Sequence, residues 1–186
     1  MRFTIPNLLT FFRLAAAPCV AIFLLLNLNA TITLIVFLLA AITDYIDGYL
    51  ARVLNQSSSL GKVLDPIADK AMVIITLCFL HYSFNNDLIK ILFGIPVIAI
   101  IFREIFVSGI REYTGDKSDL LVVTKLSKWK TALQMISIGV LLASNIDYFK
   151  FLPLTTIGLL ILWLASIVTL ITGTDYFKKF LISLKG

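Results

Sequence analysis

Charge is scarce in this chain, and cysteine and histidine are scarcer. Asp, Glu, Lys and Arg make up 15% of the 186 residues, where a soluble domain carries about a quarter. Two cysteines, Cys19 and Cys78, each inside an apolar run, argue against a disulfide framework and a cysteine-based metal centre; both are expected to pack as small apolar side chains. The single histidine, His81, lies near the end of an apolar segment and reads as an interfacial residue rather than a catalyst. No internal repeat or low-complexity stretch stands out. What remains is 59% hydrophobic with a mean hydropathy of +0.97, the composition of an integral membrane protein. The net charge of +5 suits a surface facing anionic lipid, and nothing points to nucleic acid.

The length allows about six spans of roughly 20 residues with short loops, so residues 1–186 are read as one all-α membrane domain. Span one is expected over Leu14–Leu28, preceded at Pro6–Thr10 by a short amphipathic helix on the membrane surface; a cleaved signal peptide is disfavoured because no small-x-small site follows Leu28. Spans two to six are expected from Thr31 past Asp44, over Gly61–Phe84, Leu88–Gly109, Lys125–Ala143 and Pro153–Thr172. Six spans place both termini on one side. That side carries fourteen basic residues and the other only Lys90 and Lys150, which makes it cytoplasmic, in the cell inner membrane. Trp129, Tyr148 and Tyr176 read as interface anchors.

Four of the eleven acidic residues fall between positions 44 and 69, as two pairs. Asp44 and Asp47 are three apart and Asp65 and Asp69 four apart, so on helices each pair projects from one face. Helical rise puts the first pair roughly 21 to 26 Å beyond Ala30, near the far face of the bilayer, and the short polar loop Asn55–Ser59 returns the second pair to the same side. Carboxylates gathered this way repel one another, and a hard divalent cation, Mg²⁺ or Mn²⁺, suits them best. The bland alternative is helix-end acids paired with Arg52, Lys62 and Lys70. Gly48 and Gly61 each remove a side chain beside an acid pair, leaving room for a bulky ligand or a neighbouring backbone.

Asp44-x-x-Asp47-Gly48-x-x-Ala51-Arg52, eight residues, then Gly61-x-x-x-Asp65-x-x-x-Asp69 resembles the signature of the CDP-alcohol phosphatidyltransferases at every specified position. Ile5–Thr10 with Arg13, Leu64–Lys70, Arg103-Glu104-Ile105 with Arg111-Glu112, and Lys128–Thr131 are similar to the phosphatidylglycerophosphate synthases within that family. The resemblance implies six transmembrane helices, a homodimer, and transfer of a phosphatidyl group from CDP-diacylglycerol to an alcohol with release of CMP. It implies that Asp44, Asp47 and Asp65 hold divalent metal, that Asp69 joins them and acts as general base, and that Gly48, Ala51, Arg52 and Gly61 wrap the nucleotide. Asn7, Thr10 and Ser58 are further implied donor contacts, Ser58 from a variable spacer.

With glycerol 3-phosphate as the implied acceptor, a small dianion, the basic residues of spans four and five are the expected binders: Arg103, Arg111, Lys128 and Lys130, with Lys125 behind them. Each could instead serve topology or pair with Glu104 or Glu112. Serine, inositol phosphate or phosphatidylglycerol are alternative acceptors. An ion-coupled transporter is the alternative from another class, disfavoured because Asp87 and Asp147 lie at the opposite surface and leave the middle of the membrane without acids.

Overall fold

In the computed structural model, residues 5–53, 59–114 and 125–184 are described, and they form six long helices. The polar residues between apolar runs explain where helices stop and start. α1 (Ile5–Leu25) closes where Asn27 adopts a left-handed backbone, φ 48°. Leu28 N–H bonds back to the Phe23 carbonyl (2.9 Å) and Asn27 N–H to that of Leu24 (3.2 Å), a closure that asparagine tolerates better than any branched residue. Asn29 then caps α2 (Ala30–Val53), its Oδ1 accepting from Thr31 N–H (2.9 Å) and Ile32 N–H (3.3 Å). α3 (Ser59–Leu80) ends in a 3₁₀ turn, His81–Ser83. Asn86 caps α4 (Asp87–Thr114) in the way Asn29 caps α2. α5 (Lys125–Ala143) and α6 (Leu154–Ser183) follow, separated by the turn at Asp147–Phe149.

Each of the six expected apolar segments falls largely within one of these helices, with ends that differ by several residues, and α2 and α3 run through the acidic pairs without a break. The N-terminal segment differs. Pro6–Thr10 is not a separate helix but the first turns of a continuous α1, with Asn7, Thr10 and Arg13 buried and Leu8, Phe11 and Phe12 exposed. Polar groups turned inward and apolar ones outward are the reverse of a soluble helix and suit a lipid surround. Among the described residues, three segments are long and apolar enough to cross a membrane by themselves, Asn7–Leu25, Asp87–Thr114 and Leu154–Ile182, and Ala30–Asp44 and Trp129–Ala143 are shorter apolar helices. Ile22, Ile35, Ile98, Phe102, Leu160 and Ile167 add to an exposed apolar belt. This is a membrane protein.

α1 packs on α2 and α3, α6 packs on α4 and α5, and α2 and α3 reach α5. α4 makes little backbone contact with α5. Phe37, Met72, Leu77, Ile100, Ile138, Leu141 and Leu162 fill the centre. The α5–α6 approach is tight: a Cβ on Gly158 would lie 2.6 Å from Leu141, and Ser137 Oγ donates to the Gly158 carbonyl (2.9 Å). Lys90 and Lys150 pair with Asp87 and Asp147 on the surface. Trp129 and Tyr148 are exposed, as interface anchors would be, but Tyr176 is buried and is not one.

Candidate active site

The acids of α2 and α3 are brought together by a residue of α1. Arg13, 1% exposed, uses Nη1 to donate to Oδ1 of both Asp44 and Asp69, and Nη2 to reach Oδ1 of Asp65 at 3.2 Å. Thr10, one helical turn before Arg13, donates its hydroxyl to the same Asp65 oxygen at 2.6 Å. The expected convergence of the two pairs therefore holds for Asp44, Asp65 and Asp69; the side chain of Asp47 lies outside the described residues, although its backbone continues α2. Among the described residues no three ligand-type side chains form a preassembled metal centre. Three carboxylates are instead gathered on one guanidinium. Each acid keeps a third or more of its surface open, so the set offers hard anionic oxygens already arranged around positive charge, the donor chemistry that Mg²⁺ or Mn²⁺ requires.

Next to this cluster lies a cavity of about 330 Å³, lined by Asp65, Asp69 and Lys70 of α3 and by Arg103, Arg111 and Lys130. Its cationic wall is fixed by buried partners. Glu104 forms ion pairs with Lys130 and with Arg103 (3.3 Å), all three side chains less than a tenth exposed. Buried charges on this scale persist only when paired. Arg103 Nη2 also donates to Thr172 Oγ1 at 3.2 Å, while its Nε has no partner among the described residues. Tyr176 of α6 sits between the two arginines: its ring is 5.5 Å from the Arg103 guanidinium and 5.0 Å from that of Arg111, and its hydroxyl accepts from Arg111 Nη2 at 2.7 Å. Lys70 donates to Ser108 Oγ (2.6 Å), which itself donates to the Glu104 carbonyl. Such an arrangement has the chemistry to bind a small dianion beside a carboxylate able to accept a proton.

Of the expected site residues, Arg103, Arg111 and Lys130 thus share one cavity with Asp69. Arg103 and Lys130 also make the pairing with Glu104 that the sequence left open. Asn7 and Gly61 are buried on α1 and α3. Gly48, Ala51 and Arg52 belong to the α2 helix and Lys128 to α5, with side chains outside the described residues; Ser58 lies outside them altogether. Sequence reasoning missed Lys70, Ser108 and Glu104 as cavity residues, and Tyr176 and Gly173 as their supports. Gly173 matters because a Cβ there would stand 2.8 Å from Cγ of Arg103. Gly173→Ala is expected to push the Arg103 stem off α6 and weaken binding of a phosphate-bearing acceptor about tenfold, the worth of one charged hydrogen bond. Titration calorimetry with the acceptor checks this; unchanged affinity would mean that Arg103 contributes nothing to the pocket.

Comparison with known proteins bears on what fills it. The family described as CDP-alcohol phosphatidyltransferase matches residues 3–171. The CDP-diacylglycerol–glycerol-3-phosphate 3-phosphatidyltransferase of Cereibacter sphaeroides is 41% identical over an alignment spanning 100% of this chain and 99% of that protein. The protein of the same name from Rickettsia bellii is 39% identical over 94% of this chain and 93% of its own. CDP-diacylglycerol–glycerol-3-phosphate 3-phosphatidyltransferase 2 of Arabidopsis thaliana is 40% identical over 84% of this chain and 72% of its own length.

Proposed function

The chain belongs to the CDP-alcohol phosphatidyltransferase family, and on that premise we propose that it transfers the phosphatidyl group of CDP-diacylglycerol to glycerol 3-phosphate, giving phosphatidylglycerol phosphate and CMP. The observation that carries this reading is the single cavity joining Asp69 to Lys70, Arg103, Arg111 and Lys130. A phosphomonoester needs such a cationic wall, and a neutral or zwitterionic acceptor such as serine does not.

In this reading the cationic wall grips the phosphate of glycerol 3-phosphate and turns a free hydroxyl toward Asp69. The hydroxyl oxygen bonds to the phosphorus that carries diacylglycerol, its proton passes to Asp69, and the bond from that phosphorus to CMP breaks, CMP leaving with the electron pair. Asp44, Asp47, Asp65 and Asp69 would hold Mg²⁺ or Mn²⁺. Such ions, when bound, neutralise charge building on the leaving phosphate. Asn7, Thr10, Gly48, Ala51, Arg52, Ser58 and Gly61 would wrap the nucleotide, and Lys128 would add positive charge beside the acceptor.

The same reading takes residues 1–186 as one domain spanning the inner membrane six times, with the site opening to the cytoplasm and two chains forming a homodimer. The excess of basic residues at the acidic end of the bundle supports that orientation. Leu8, Phe11 and Phe12, exposed on the first turns of α1, support an amphipathic start that rests against lipid at the membrane surface.

CMP release by purified protein, measured with a panel of acceptors, tests the proposal. Glycerol 3-phosphate is expected to support release and serine not, and chelation of divalent ions to stop it until Mg²⁺ is restored. Arg111→Ala should raise the requirement for glycerol 3-phosphate about tenfold with little change for CDP-diacylglycerol. Consumption of serine alone would overturn the acceptor assignment, and release undiminished by chelator the cation assignment.

A further inference from the structure

Arg13 is an unusual occupant for a site read as a cation centre. It is 1% exposed and bonded to three acids on two other helices. Nη1 lies between Asp44 Oδ1 and Asp69 Oδ1, so the guanidinium already satisfies two of the oxygens that would hold a cation. Among the described residues, one guanidinium meets three carboxylates, and the open faces of the acids give an incoming cation a path.

We propose that Arg13 is the resident cation of the acidic cluster: it neutralises Asp44, Asp65 and Asp69 when divalent ions are absent, and those ions occupy the site by displacing its guanidinium. The proposal rests on the reading of these aspartates as metal ligands. It makes Arg13 a positioning residue, which spares the empty site the cost of clustered bare carboxylates and weakens cation binding by the work of its own displacement. The plainer role, a staple holding α1 to α2 and α3, predicts something else: loss of stability on mutation whether or not metal is present.

The two roles separate with the full chain purified in detergent, Mn²⁺ as the probe, free ion read by electron paramagnetic resonance, and thermal unfolding followed in EDTA and in Mn²⁺. Arg13→Gln is expected to bind Mn²⁺ about tenfold or more tighter than the wild type, since one competing charge within contact distance is gone. It should melt below the wild type in EDTA and regain most of the difference in Mn²⁺. Arg13→Lys, which keeps the charge but not the fork, should fall between the two. Mn²⁺ affinity of Arg13→Gln equal to or weaker than wild type overturns the proposal, as does a stability loss that Mn²⁺ leaves uncorrected. Should Arg13→Gln fold only when prepared with Mn²⁺, that supports the proposal; should it fold under neither condition while Arg13→Lys binds Mn²⁺ as the wild type does, that overturns it. Absence of Mn²⁺ binding by every variant and by the wild type removes the metal reading itself, a result distinct from the failure of Arg13 alone.

Discussion

Asp69→Asn is expected to lower turnover about a thousandfold, the worth of a positioned general base, while CDP-diacylglycerol still binds. The geometry behind this is specific. Asp69 faces both ways: its Oδ1 meets Arg13 in the acidic cluster, and the residue lines the cavity with Arg103, Arg111 and Lys130. Among the acids described it shares that double position only with Asp65, which is already engaged by Thr10 and Arg13 through a single oxygen. Asparagine keeps the size and one carbonyl oxygen but cannot take the hydroxyl proton. Single-turnover CMP release, set beside donor binding measured in the absence of acceptor, checks the two halves of the expectation. Release at near wild-type rate would take the base role from Asp69; loss of donor binding would make it a ligand holder only.

The largest effect on stability is expected at Glu104. Among the described residues its carboxylate is the one anion paired with Arg103 and Lys130, and the Glu104–Lys130 pair crosses from α4 to α5, two helices with little other contact. Glu104→Ala leaves two buried cations facing each other without compensation, a loss of about 3 kcal/mol or more, read as a lowered midpoint of thermal unfolding in detergent. The double variant Glu104→Leu with Lys130→Met removes one of those cations along with the anion but leaves Arg103 buried without its carboxylate, so it should recover only part of that stability, and acceptor binding should stay weak because one cation of the pocket is gone. A Glu104→Ala protein that melts with the wild type would show that the pair contributes nothing to holding α4 and α5 together.

How far these features could be read beforehand depended on their range along the chain. The six helical segments were legible because apolar runs are local signals, although α1 starts earlier and α6 ends later than expected, and the acid pairs were legible because a three- or four-residue interval marks one helix face. The engagement of Arg13 with Asp44, Asp65 and Asp69 spans up to 56 residues of sequence and has no periodic trace; a buried basic residue and a topology-setting one look the same in a sequence. Tyr176 failed as an interface anchor for a related reason. A tyrosine near a helix end has the same composition whether it faces headgroups or lies between two arginines, and only the packing of α6 on α4 decides. Gly173 carried no signal either, since the side chain it makes room for stands seventy positions earlier.

The lopsided attachment of α4 also bears on selectivity. α4 carries Arg103, Glu104 and Arg111, and it leans almost wholly on α6, through Phe106 against Phe177 (5.4 Å), Tyr113 against Phe180 (5.8 Å) and the small cluster of Val107, Ile110 and Tyr176. The width of the acceptor chamber is therefore governed by a seam of aromatic rings outside it. Exchanging those rings for smaller or larger ones would tilt α4 on its support, and a bulkier alcohol could be admitted without altering a single group that touches it.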